Sequence, residues 1–173
     1  MNAGDAVEPM AADTAEAREG LGGQYLSFTL GGEVYGADIL KVREIKGWEE
    51  VRPLPDMPDY LKGVLDLRGV IVPIVDLRMR FHLAECEYTP TTVTIVFSVE
   101  SGGRQHVVGA VVDGVSDVLD VAPGDARISP EIGAGVSACY IKGMVTLDDR
   151  MVILLDVDKL LDPREMGLPE SLQ

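Results

Sequence analysis

The residues best suited to acid–base, nucleophilic or metal chemistry in this 173-residue chain are two histidines, two cysteines and a surplus of carboxylates. His82 and His106 flank different predicted elements and fall in no zinc-ligand pattern, so they read as hydrogen-bonded surface residues. Cys86 and Cys139 lack a recognisable base partner, and a small buried hydrophobe is the default for each. No phosphate loop, nucleophile elbow or dinucleotide fingerprint occurs, and Ser101-Gly102-Gly103-Arg104 reads as a hairpin turn. Asp113, Asp117 and Asp120 lie close together, and Asp113-Gly114 followed by Asp117 is a thin version of a calcium loop. A small metal- or carboxylate-dependent enzyme built on these three is the remote alternative, because turns and a solvated strand face explain them as well.

Binding chemistry is better served. Arg68 stands on a tight turn before Gly69, among valines and isoleucines, where a long cation can anchor a partner helix. An exposed arginine paired with Asp66 or Glu44 is the plainer reading of the same residues. Ile39 and Val42 are three apart on one short element, hence on one helical face. Core packing is their default, and a groove that leaves them partly open to a helix is the functional alternative.

Those residues need a scaffold, and the scaffold is β-rich. Tyr25–Leu30 and Val34–Gly36 alternate around Gly31-Gly32, which predicts a hairpin. Asp38 is placed to cap a short helical turn through Leu40 and Val42, and Arg43–Trp48 returns to extended chain. Pro53, Pro55 and Pro58 exclude regular helix, and Asp59–Lys62 suits a single helical turn. Val64–Leu77 is β-branched about an Arg-Gly turn, and Pro73 predicts an open edge or bulge. Asp76 suits the N-cap of a helix over Leu77–Phe81. Thr91–Val99 and Gln105–Val112 predict a hairpin that Val115–Val121 extends. Residues 123–137 read as loop, Tyr140–Leu147 and Arg150–Leu155 as a last hairpin, and Lys159–Leu161 as a terminal helix. Residues 1–23 show no apolar period and read as a disordered tail. Many short strands with glycine turns suggest small barrels.

The chain also repeats itself. Tyr60–Phe81 (YLKGVLDLRGVIVPIVDLRMRF) returns eighty positions later as Tyr140–Leu161 (YIKGMVTLDDRMVILLDVDKLL). Upstream, Gly36-Ala37 leads into Val42-Arg43-Glu44-Ile45, and Gly109-Ala110 leads into Val115-Ser116-Asp117-Val118 at the same spacing. Two similar β modules in tandem, with Asp66-Leu67-Arg68-Gly69 at one turn and Thr146-Leu147-Asp148-Asp149 at the other, suggest binding more than catalysis.

A net charge of −14 and a pI near 4.4 exclude nonspecific nucleic-acid binding and attraction to an anionic membrane, since no Lys/Arg cluster is present. The longest apolar stretch, Val70–Val75, is too short for a bilayer, and no signal-peptide pattern opens the chain. Two cysteines suggest no disulfide framework, so a cytoplasmic chain with reduced thiols is expected.

From about Gln24 to Met166 the sequence resembles the CheW family, the adaptors of bacterial chemotaxis arrays. The resemblance rests on FTLGGEVYGADILKVREIKGW, YLKGVLDLRGVIVPIVDLRMRF, VVGAVVDGVSDVLDV and YIKGMVTLDDRMVILLDVDKLL. The family's usual Asn-Leu-Arg-Gly turn has Asp66 here, which adds a charge beside Arg68. The resemblance implies a mainly β fold of two SH3-like five-stranded barrels sharing an apolar layer over residues 24–166, with 167–173 as a C-terminal tail. It implies no catalysis, no cofactor and no metal. It also implies coupling of chemoreceptors, through their cytoplasmic hairpin tips, to the regulatory domain of the histidine kinase CheA. The same adaptor in a twitching, biofilm or developmental pathway is the alternative. By motif position the receptor-binding residues would be Ile39, Val42, Glu44, Arg68, Gly109 and Val118. Arg127, Ile132 and Leu168 would contribute kinase or ring contacts.

Overall fold

A computed structural model describes residues 22–83, 87–127 and 138–168. Its strands are β1 Gly23–Leu30, β2 Glu33–Asp38, β3 Val42–Gly47, β4 Leu61–Leu67 and β5 Val70–Asp76. They continue as β6 Val93–Ser101, β7 Arg104–Val112, β8 Gly114–Val121, β9 Ile141–Leu147 and β10 Arg150–Leu155. Two one-turn helices, α1 Leu77–Arg80 and α2 Val157–Leu160, follow β5 and β10, and a 3-10 turn spans Ile39–Lys41.

A second 3-10 turn spans Ala138–Tyr140, and aspartates start the other three helical turns, because a carboxylate satisfies amides that a first turn leaves unbonded. Asp38 accepts from Leu40 N, Asp76 from Arg78 N and Asp156 from Lys159 N. Three local expectations are corrected. Gly23 belongs to β1 rather than to a tail, and residues 1–21 lie outside the described residues. Val42 opens β3 instead of closing a helix. Leu61 and Lys62 are already strand, because the Tyr60 carbonyl is taken by Asp76 N of β5 at 2.8 Å. Pro73 sits inside the sheet, but the ladder from β5 to β7 begins only at Ile74, so its missing donor is not needed on that side.

The strands form two five-stranded sheets. Sheet A has the order β8-β1-β2-β10-β9, and sheet B has the order β3-β6-β7-β5-β4. The repeat explains both orders at once. Substituting each strand by its counterpart (β6 for β1, β7 for β2, β3 for β8, β5 for β10, β4 for β9) converts one order into the other. The hairpin that opens each repeat therefore joins the three strands of the other repeat. Modules that are tandem in sequence are interleaved in space: β3–β7 form sheet B, while sheet A takes its strands from both ends of the chain. For the same reason β8 does not extend the β6–β7 hairpin but crosses over to pair with β1.

Registers agree between the halves. Ile74 is opposite Gly109 in the parallel pair β5·β7, and Leu154 is opposite Gly36 in β10·β2. Asp156 N bonds Tyr140 O at 2.8 Å, as Asp76 N bonds Tyr60 O. Strand alternation divides the apolar residues into three clusters. Leu26, Phe28, Phe97, Val75, Ala110, Ile153 and Leu155 pack in one layer shared by both sheets. Tyr25, Val145, Val152 and Leu154 fill sheet A's own core, and Val72, Ile74 and Val111 fill that of sheet B. Arg80 bridges the halves, with its guanidinium over both repeat-related tyrosines, 4.8 Å from the Tyr60 ring and 5.3 Å from the Tyr140 ring.

Candidate functional site

Arg68 and Gly69 make the two-residue turn between β4 and β5, with φ of 53° and 87°. Positive φ at both positions is the hairpin geometry that matches strand twist. It is unusual for an arginine and fixes where this side chain starts. Asp66 supports the turn: its Oδ1 accepts from Gly69 N at 2.8 Å. The aspartate that replaces the family's asparagine thus keeps the local bond, and it makes no ion pair with Arg68 among the described residues.

The partner of Arg68 is Glu44. Its position is set by β3, whose pairing with β6 shifts register between Val42 and Glu44. Such a bulge re-aims the side chains beside it. The Arg68 guanidinium donates to Glu44 Oε2, although the arginine side chain is 81% exposed. Beneath the pair lies a cleft of about 130 Å³ lined by Leu67, Val70, Val72, Val96 and Val107, with Arg43 at its edge. Val70 and Ile71 stand exposed beside the turn. An aliphatic floor with an oriented ion pair at its mouth is suited to docking a surface.

The other candidates are placed differently. Ile39 and Val42 are half-buried against the shared layer where the chain crosses from sheet A to sheet B. Leu40, between them, is 87% exposed. Spacing arguments missed it, although the residue between i and i+3 points away from their face. Val118 is 49% exposed on β8 of sheet A, opposite Leu26. Gly109 is a correction: it is buried in β7 and cannot present a surface, because an added Cβ would meet Ile74 Cδ1 at 2.5 Å. Arg127 is exposed and pairs through its backbone with Met144, as Arg52 pairs with Val64 in the first repeat. Ile132 lies outside the described residues. Leu168 is also corrected, since it is 3% exposed and part of the shared core rather than of a tail surface.

Asp113 and Asp120 spend their carboxylates on structure, while Asp117 is held through its backbone. Asp113 accepts from Arg78 and from Gly31 N, and Asp120 accepts from Gln24. Asp117 closes a backbone exchange with the Ser27 hydroxyl. Among the described residues no group of three His, Cys, Asp or Glu is placed to hold a metal. Cys139 is exposed, contrary to the burial expected of it, and Cys86 lies outside the described residues.

The sequence reading also missed Arg78, which is 2% exposed and anchors the junction of the two sheets. It bonds Asp76 through Nε and a terminal nitrogen, Asp113 at 3.1 Å and the Glu87 carbonyl. Burial works against its charge, but the bonds and charges of Asp76 and Asp113 outweigh it and hold the guanidinium protonated. Tyr88 covers it, with its hydroxyl on Asp76 and its ring stacked on Trp48 at 4.2 Å. The only available signal was the Asp-x-Arg spacing of Asp76 and Arg78. At the corresponding place in the second repeat, Asp158 of α2 pairs with Lys41 of the β2–β3 crossing at 2.9 Å. Each crossing is thus pinned by an ion pair, with the charges reversed.

Two interleaved barrels sharing a core, with a charged aliphatic cleft, have the architecture of a scaffold. Comparison with known proteins agrees. Residues 24–165 match the family model described as CheW-like domain, and the chain belongs to that family. It is 46% identical to the chemotaxis protein CheW of Klebsiella aerogenes, over 90% of this chain and 92% of that one. It is 35% identical to the CheW of Rhizobium meliloti, over 83% and 90%. The crystal structure of the scaffolding protein TtCheW from Thermoanaerobacter tengcongensis superposes with a TM-score of 0.71 at 25% identity, covering 80% of this chain and 87% of that one. The chain is therefore a non-catalytic chemotaxis adaptor of the CheW type. Among the described residues no helix is long and apolar enough to cross a membrane.

Proposed function

We propose that this adaptor couples chemoreceptors to a CheA-type histidine kinase on the cytoplasmic side of a receptor array. The observation that carries the reading is the Arg68–Glu44 pair, held on a left-handed turn at the mouth of an aliphatic cleft. A receptor-tip helix would lay its apolar face along the cleft and the exposed Leu40, and the two charges would fix its register. Ile39, Val42 and Val118 flank this surface in the proposal. Arg127, on the exposed bridge to Met144, is the kinase or ring contact that the described surface supports. High identity to a relative named for chemotaxis favours that pathway over twitching or development.

The test is calorimetric titration of the full chain into the regulatory domain of its cognate kinase, followed by a receptor-tip fragment. Saturable binding of both without competition is expected. Failure to bind a folded kinase domain would remove the coupling role and leave the fold untouched.

A further inference from the structure

The two halves of the repeat each build the same cleft. One is the cleft at Glu44 and Arg68 in sheet B. The other, of about 140 Å³, lies in sheet A and is lined by Val34, Asp117, Leu147, Asp148, Arg150 and Val152. The match is position by position in the repeat: Val34 stands for Val107, Asp117 for Glu44, Leu147 for Leu67 and Asp148 for Arg68. Arg150 and Val152 stand for Val70 and Val72. The turns share a backbone shape as well, with φ of 53° at Arg68 and 51° at Asp148.

The charges differ in one decisive respect. In sheet B the carboxylate on the strand is met by the guanidinium on the turn. In sheet A the carboxylate remains, as Asp117, but the turn presents a second one, Asp148. Arg150 is on the rim, yet no ion pair joins it to Asp117 or Asp148 among the described residues. The sister cleft therefore shows what fits beside this carboxylate, and this cleft does not supply it. A chain of net charge −14 deepens the negative potential there.

We propose that the sheet A cleft is a second docking site, which accepts an arginine flanked by aliphatic residues from a different protein. The guanidinium would lie between Asp117 and Asp148, where a planar fork of donors can serve two carboxylates. The aliphatic neighbours would cover Val34, Leu147 and Val152. A second copy of this chain is a poorer occupant, because its exposed Arg68 is already paired with Glu44 and two copies of charge −14 repel.

The experiment titrates isotope-labelled full chain with acetyl-Leu-Arg-Val-amide and, separately, with the same peptide carrying glutamate for arginine, following backbone amides by NMR. The arginine peptide is expected to shift Asp117, Leu119, Leu147 and Val152 saturably, with at least a tenfold weaker response to the glutamate peptide. Asp148→Arg recreates the sister arrangement within the chain, and Arg68 shows that this turn tolerates arginine at such a φ. That variant should fold and lose at least tenfold in affinity. The proposal is overturned if no arginine-dependent shift appears up to roughly 10 mM peptide, a range that covers millimolar affinity. It is equally overturned if the shifts centre on Glu44 and Arg68, or if Asp148→Arg binds as well as the original. Sedimentation showing self-association that requires both Arg68 and Asp148 would overturn it in favour of a second copy.

Discussion

Gly109 lies directly opposite Ile74 where β5 and β7 run parallel, and its Cα hydrogens occupy space that no side chain can share. An added methyl would sit 2.5 Å from Ile74 Cδ1 and 3.1 Å from Thr94 Cγ2. Gly36 faces Leu154 in the same relation, at a milder 3.0 Å. The residue pair is part of how a parallel contact between the two repeats packs, so its sequence signature is a matter of closeness rather than of binding.

Gly109→Ala should lower stability by about 1–3 kcal/mol, the usual range for overpacking a dense core. Gly36→Ala should cost less. Urea unfolding of both variants measures the order, and equal stability of Gly109→Ala and the parent would contradict the close approach.

Removing Arg78 should be more damaging. Arg78→Met leaves Asp76, which is fully buried, without its counter-charge, and the expected loss is about 3–5 kcal/mol. Trp48 is the chain's one tryptophan and stacks on Tyr88, which bonds Asp76. Its fluorescence should therefore change in the folded variant and provide the readout.

At the Arg68 turn the expectation is reversed: little effect on stability and a large one on association. Arg68→Glu changes an exposed pair worth at most about 1 kcal/mol to folding. Receptor-tip affinity should fall at least tenfold. Combining it with Glu44→Arg should restore the in-chain pair but not the affinity if the receptor reads the direction of the charges. Calorimetry on the three variants decides.

Stability should also depend on pH through Asp162. Burial alone would raise its pKa, but the Ser101 hydroxyl at 2.7 Å and the Arg164 amide and charge outweigh that and lower it. A carboxylate lowered in the folded state adds stability above its unfolded pKa of about 3.9, and that stability is lost as pH falls through the lower folded value. Asp162→Asn keeps an acceptor and removes the charge. It should be less stable at pH 7 by about 1 kcal/mol. The gap should narrow below pH of about 4, as denaturation midpoints taken across that range would show.

Much of the fold was legible because local chemistry dictates it. Gly31-Gly32, Arg68-Gly69 and Gly102-Gly103 marked their hairpins, and Asp38 and Asp76 marked their helical turns. Strand partners were not legible. β8 carries the same alternation whether it extends β7 or crosses to β1, and only the shared apolar layer decides between them. The same limit acted on the site. Glu44 and Arg68 could be paired by charge, but the burial of Gly109 and Leu168 depends on what packs over them from far along the chain. Arg78 escaped notice because an arginine two residues after an aspartate looks like surface until its second partner, Asp113, arrives from the bend between β7 and β8.

Interleaving also has a consequence for biosynthesis. The β1–β2 hairpin leaves the ribosome first, yet the strand that pairs with β2 begins only at Arg150. At translation speeds of about 5–20 residues per second, the roughly 110 residues between them take on the order of 6–22 s. Meanwhile β3–β7, an unbroken stretch of chain, can close sheet B with every strand already made. The nascent chain thus holds an open β-edge beside a finished neighbour. That edge stays open until the last hairpin emerges, so a nonsense change shortly before Arg150 would leave β2 with β1 as its one partner strand, although nine-tenths of the strands had been made.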